Sequence, residues 1–142
     1  MTVLEDLLEL GQPMRTIPPE ASVQEAVEEL CRWHVRALVV GSATDPMGIL
    51  CERDVIERVV RPGLVAGETT VASVMTAPLV CLPASASPED ALAYMRARRV
   101  HQVPIAGEEA LLGVVSATDL RRWALAQREL EVMALESYVM GA

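Results

Sequence analysis

The chain has 142 residues, 51% of them apolar and 23% charged, and its 12 basic residues face 20 acidic ones for a net charge of −8. That is the length of one domain with enough apolar material for a packed core, which excludes a disordered segment. An acidic chain lacks the clustered positive charge that a nucleic-acid surface requires, and no stretch approaches the roughly 20 apolar residues of a membrane span, so neither partner is expected.

The elements follow in chain order. Thr2-Val-Leu-Glu5 has the pattern of a capping box and predicts a short lead-in helix. Arg15 to Ile17 reads as a short extended piece running into Pro18, because proline biases its predecessor towards extended backbone. Ser22-Val-Gln-Glu25 is a second capping box. The helix it opens carries Val23, Ala26, Val27, Leu30 and His34 along one stripe. Ala37 to Val40 and Met47 to Cys51 predict two strands of a hairpin, and a second helix begins near Glu52. Arg61 to Glu68 has the composition of a linker, and Thr70 to Pro78 predicts a short helix.

From there the order repeats. Val80 to Leu82 is extended, and Ser87-Pro-Glu-Asp90 opens a helix with Ser at the cap, Pro at its first position and an acid at its third. Ala91, Leu92 and Met95 form its stripe. Val103 to Ile105 and Leu111 to Ser116 predict a second hairpin, and Leu120 to Met140 reads as one long helix with apolar residues on more than one side. Such a surplus suggests a contact with a second copy.

The repetition is gapless. Pro18, Ala21, Ser22, Ala26, Val35, Gly48 and Asp54 each recur 65 residues later as Pro83, Ala86, Ser87, Ala91, Val100, Gly113 and Asp119. Each copy therefore reads β-α-β-β-α. A three-stranded sheet with helices on one face is only half covered, so the two copies are expected to pack on each other in an α+β fold. The expected divisions are 1–65 for the first repeat with its lead-in helix, 66–126 for the second, and 127–142 for a helical extension.

No feature proposes a reaction. The three cysteines, Cys31, Cys51 and Cys81, include no C-x-x-C pair, and the two histidines have no partner at metal-ligand spacing. Gly-rich phosphate or dinucleotide loops and a nucleophile elbow are lacking too. The chain is expected to be neither an enzyme nor dependent on a cofactor. Glu5, Asp6 and Glu9 stand where a secretory leader carries basic residues, so a cytoplasmic protein is expected.

Two motif copies carry the chemistry. Ser116-Ala-Thr118-Asp119 and Cys51-Glu-Arg53-Asp54 each place an Asp at the first turn of a helix just after a strand. A carboxylate there can accept hydrogen bonds from a ribose cis-diol, while the helix N-terminus and a hydroxyl favour phosphate. The same Ser116–Asp119 pattern is equally a capping box, and both readings stand. Cys51 replaces the capping Ser in the first copy.

The tandem β-α-β-β-α order, Val74-Met-Thr76 before a Pro, the capping Ser after the next Pro and the twofold G-x-x-[S/C]-x-x-D together resemble a pair of cystathionine-β-synthase (CBS) domains, the Bateman module. The resemblance implies a stand-alone pseudo-twofold module with two clefts between the repeats. It implies an adenosine-containing ligand such as AMP, ADP, ATP or S-adenosylmethionine, a homodimer, and a regulatory role towards an unidentified partner protein. Carried over residue by residue, Asp119 and Asp54 would hold ribose, and Ser116, Thr118, His101, Arg36 and Arg53 would hold phosphate. Ile17, Val80, Leu82, Val103 and Pro104 would enclose the base. The alternative is a structural dimerisation module whose sites bind nothing, which Cys51 and the scarcity of aromatic residues favour.

Overall fold

A computed structural model describes residues 2–10 and 13–139. The first repeat holds β1 (Thr16–Ile17), α2 (Val23–Trp33), β2 (Ala37–Gly41), β3 (Pro46–Cys51) and α3 (Glu52–Val55), the last continued by a wider turn over Ile56–Val60. The second holds β4 (Leu82–Pro83), α5 (Pro88–Arg98), β5 (Gln102–Ala106), β6 (Leu111–Ser116) and the 23-residue α6 (Ala117–Val139). Two short helices precede them, α1 (Leu4–Leu7) before the first and α4 (Val71–Val74) before the second. Met140, the expected end of the long helix, lies outside the described residues.

Each repeat forms one three-stranded sheet, with a parallel first pair and an antiparallel hairpin, in the order β1-β2-β3 or β4-β5-β6. The caps follow the sequence closely. The Ser22 hydroxyl accepts from the Glu25 N–H at 3.1 Å. Ser87 and Asp90 complete a reciprocal box with Pro88 at the first helical position. At α1 the box falls one residue later than expected: Val3 is the cap and its N–H donates to the Asp6 carboxylate at 2.9 Å.

The second sheet departs from the first at its outer strand. In the first repeat the Val39 N–H donates to the Arg15 carbonyl at 2.9 Å and holds the chain before β1 against β2. The equivalent of Val39 is Pro104, which has no N–H to offer. The extended piece expected at Val80 to Leu82 therefore pairs only at Leu82 and Pro83, and Val80 is left 44% exposed.

Two cores result, and each is completed from the other half of the chain. Ile17, Val23, Ala26, Leu30, Leu38, Val40 and Leu50 pack with Val71 and Val74 of α4, while Ala91, Met95, Val103, Ile105, Val115 and Leu120 pack with Leu4 and Leu7 of α1. Backbone bonds fix the exchange. Leu4 and Glu5 N–H donate to the Ala86 and Ala84 carbonyls, and Val71 and Ala72 N–H donate to the Ala21 and Pro19 carbonyls. These four acceptors are paired by the same 65-residue offset.

The segment after α4 also crosses back, because Thr76 and Ile49 exchange two backbone bonds of 2.8 and 3.0 Å. Gly48 makes that approach feasible: a Cβ there would stand 2.7 Å from the Thr76 carbonyl oxygen. Since Leu4 is fully buried in the core of the second repeat, Leu4→Ala should cost about 2–5 kcal/mol. Urea unfolding followed by circular dichroism should show it as a shift of one transition shared by both halves, whereas a separate early transition would show that the halves unfold independently.

Candidate functional site

Two cavities open between the repeats, and their linings correspond in large part at the 65-residue offset. The first, about 240 Å³, is lined by Ser116, Thr118 and Asp119 of the second repeat and by His34, Val35 and Arg36 of the first, among others. The second, about 310 Å³, is lined by Cys51, Arg53 and Asp54 of the first repeat and by Arg99, Val100 and His101 of the second, among others. Arg36 reaches both walls.

The two carboxylates are held alike at one oxygen and differently at the other. Asp119 Oδ2 accepts from the Ser116 N–H at 2.9 Å, and the Asp119 N–H donates to Ser116 Oγ at 3.0 Å, so the capping box is complete. Asp119 Oδ1 has no hydrogen-bond partner among the described residues. Asp54 Oδ2 likewise accepts from the Cys51 N–H at 2.8 Å. Its Oδ1, however, accepts from the Thr76 hydroxyl at 3.1 Å and lies 3.9 Å from the Arg58 guanidinium, which itself donates to the Val74 and Met75 carbonyls. One carboxylate has a free acceptor facing a cavity, and the other is occupied by the segment that joins the repeats.

The helix N-termini are less open to an anion than the motif suggests. The Ala117 N–H donates to the His101 carbonyl at 2.9 Å and the Glu52 N–H to the Arg36 carbonyl at 3.1 Å, in addition to the N–H groups used by the caps. Positive charge in the clefts therefore comes mainly from side chains. Arg15 and Arg122 join Arg36 in the first cavity, and Arg99 and Arg121 join Arg53 and His101 in the second.

The profile of the CBS domain matches this sequence twice, over residues 4–61 and 71–126. The chain belongs to the CBS-domain family. It is 31% identical over 105 residues to the CBS domain-containing protein YhcV of Bacillus subtilis, covering 74% of each. It is 26% identical to the mitochondrial CBS domain-containing protein CBSX3 of Arabidopsis thaliana, covering 84% of this chain and 61% of that one. The crystal structure of the CBS-domain containing protein ATU1752 from Agrobacterium tumefaciens superposes with a TM-score of 0.79 at 27% identity, over 87% of this chain and 99% of that one.

The CBS pair thus brings Asp119, Ser116, Thr118 and Arg36 together in one cleft, and Asp54, Arg53, His101 and Arg36 in the other. It does not bring the expected base-enclosing residues to either wall. Ile17 and Val103 point into the cores, Leu82 packs beside the second core, Pro104 is buried and Val80 is turned to solvent. For Val103 the reason is strand alternation, since neighbours on a strand face opposite sides of the sheet. Gln102 and Val114 therefore reach the first cavity while Val103 and Val115 fill the core.

His34 and Arg99 are the residues the sequence reading placed otherwise, the first on the core stripe of α2 and the second in a basic cluster serving the helix dipole. Both are C-caps in the left-handed conformation, with φ of 53° and 56°, and both are exposed and line a cavity. Their matched positions at the offset were the available signal. Left-handed backbone costs a non-glycine residue about 1–2 kcal/mol. Arg99→Gly should therefore raise stability by about 1 kcal/mol in thermal unfolding while removing one cation from the cleft.

Cys51 is not an activated thiol. Burial, and then the charges of Asp54 and Glu52, push its pKa up to about 12. It stays protonated at neutral and mildly alkaline pH, which denies it thiolate chemistry. Iodoacetamide at pH 8 followed by peptide mass spectrometry should label exposed Cys31 well before Cys51, and equal rates would contradict this account.

Proposed function

We propose that this CBS pair is a regulatory module that binds an adenosine-containing ligand, such as AMP, ADP, ATP or S-adenosylmethionine, with the Asp119 cleft as the ribose-binding site. The observation that carries the reading is the free Asp119 Oδ1 beside a cavity of about 240 Å³ with Arg15, Arg36 and Arg122 on its walls. An ionised carboxylate with one oxygen fixed by backbone and the other open accepts from a diol without rearranging. Asp54 already accepts from Thr76 and lies near Arg58, so less of its acceptor capacity is left and the second cleft is the weaker ribose site. The ligand regulates by binding one conformation or association state of the module more tightly than another.

Self-association is part of this reading. Beyond Ala124 every described residue of α6 is exposed, including Leu125, Leu130, Met133 and Leu135. A second copy is the partner assigned to that surface.

The test is thermal unfolding with each of the four ligands. A ligand at 100 times its dissociation constant adds about 2.7 kcal/mol. Asp119→Asn keeps an acceptor for the Ser116 N–H but loses the charge, so it should fold normally and lose most of the shift. Asp54→Asn should keep most of the shift. The competing reading, a structural module without a ligand, draws on the completed Ser116–Asp119 box, which gives Asp119 a role without any ligand. Absence of a shift with all four ligands would decide for it.

A further inference from the structure

Resting on the Asp119 cleft as the ligand site, we infer that Trp33 and Arg15 form a stacked cation clamp on its wall, which makes this chain select a polyphosphate ligand over an uncharged or cationic one. The Arg15 guanidinium carbon lies 3.5 Å from the centroid of the Trp33 ring, well inside cation–π range. The ring is itself fixed, because its N–H donates to Glu29 Oε2 at 2.7 Å while Glu29 Oε1 accepts from Arg32 at 3.0 Å. The main chain of Arg15 is fixed as well, since its carbonyl accepts from the Val39 N–H at 2.9 Å. A side chain held in place before a ligand arrives costs less to order on binding.

Stacking uses a face of the guanidinium, whereas its five N–H donors lie in the plane and suit a phosphate. Arg15 lines the cavity together with Arg36 and Arg122. None of the three has an acid within 4 Å among the described residues, where Asp119 is the only carboxylate on the cavity wall. Arg15 therefore touches the ligand, and Trp33 is a positioning residue that acts through it.

Two of these three cations belong to this cleft alone. At the 65-residue offset Arg15 corresponds to Val80 and Arg122 to Glu57, so the matching positions are apolar and acidic, and neither lines the second cavity. Glu29 and Trp33 correspond to Tyr94 and Arg98, which form only a looser pair at 6.0 Å. In a chain of net charge −8 the overall field does not favour an anion, and a local set of cations has to hold it. Three guanidinium groups match the several negative charges of a di- or triphosphate better than the single phosphate of AMP. The sulfonium of S-adenosylmethionine would add positive charge to the same walls, and like charges brought together oppose binding.

Isothermal titration calorimetry on the full chain with ATP, adenosine, S-adenosylmethionine and inorganic tripolyphosphate tests the clamp. The native chain should bind ATP more tightly than adenosine or S-adenosylmethionine, and added salt should weaken ATP the most. Arg15→Gln should lower the ratio of ATP to adenosine affinity about tenfold, the loss of one charge-assisted contact, and should weaken tripolyphosphate likewise. Trp33→Leu should lower the same ratio, and Trp33→Tyr, which keeps an aromatic face, should restore most of it. A role in folding alone would not move a ratio between two ligands of one cleft. Arg98→Gln removes the same charge outside the cavities and should leave the ratio unchanged. Circular dichroism melts check the fold, and the Trp33 variants stand at an exposed site should Arg15→Gln prove unstable. An unchanged ratio in Arg15→Gln or in Trp33→Leu, or tighter binding of S-adenosylmethionine than of ATP, would overturn the clamp and leave the ribose site intact. Tripolyphosphate held through Arg15 by a chain that does not bind adenosine would keep the clamp and overturn the ribose reading. A chain that binds none of the four overturns both.

Discussion

The exchange of short helices between the two halves is the contact on which the rest of this molecule depends. Leu4 and Leu7 precede the first repeat yet fill the core of the second, and Val71 and Val74 precede the second yet fill the core of the first. Neither half can bury its own apolar surface from contiguous sequence. A sheet of three strands, one of them only two residues long, would be marginal alone, and the borrowed helix supplies the missing layer.

Within that frame, small sequence differences make the two clefts unequal. The first repeat keeps the aspartate and loses the serine; the segment after α4 then reaches over and ties the aspartate through Thr76 and Arg58. The second repeat keeps both residues, so its carboxylate is braced by its own backbone and keeps an acceptor to spare. The position of Arg58 is taken in the second repeat by Trp123, whose indole packs beside the second core. Near-identical geometry therefore carries two chemical states, one carboxylate oxygen tied by protein and one without a hydrogen-bond partner among the described residues.

Much of this was legible in the sequence because it is local. Capping serines, strand alternation and the gapless offset are set by residues a few positions apart, and they placed the strands to within one or two residues, while α4 ends four residues before Pro78 and α6 begins three before Leu120. What was not legible is set by residues far apart in the chain. The bond from Thr76 to Asp54 spans 22 positions, and the seating of Leu4 in the second core spans more than 80. No periodicity in α1 says which half will receive it. The apolar residues expected around a base lie off both cavity linings for a related reason: a short apolar run on a strand carries no mark of which side holds the cleft.

The proline at position 104 has an effect that reaches past the strand it sits in. By leaving the Val80 carbonyl without the partner that Arg15 enjoys, it removes one backbone bond from the outer edge of the second sheet. Opening of a segment costs less where fewer backbone bonds and buried side chains must be given up. The stretch from Leu79 to Cys81 is thus held to its sheet by fewer backbone bonds than its counterpart before β1. It joins the segment tied to Asp54 to the half that holds Asp119, so the chain between the two carboxylates runs through the least-paired part of the second sheet.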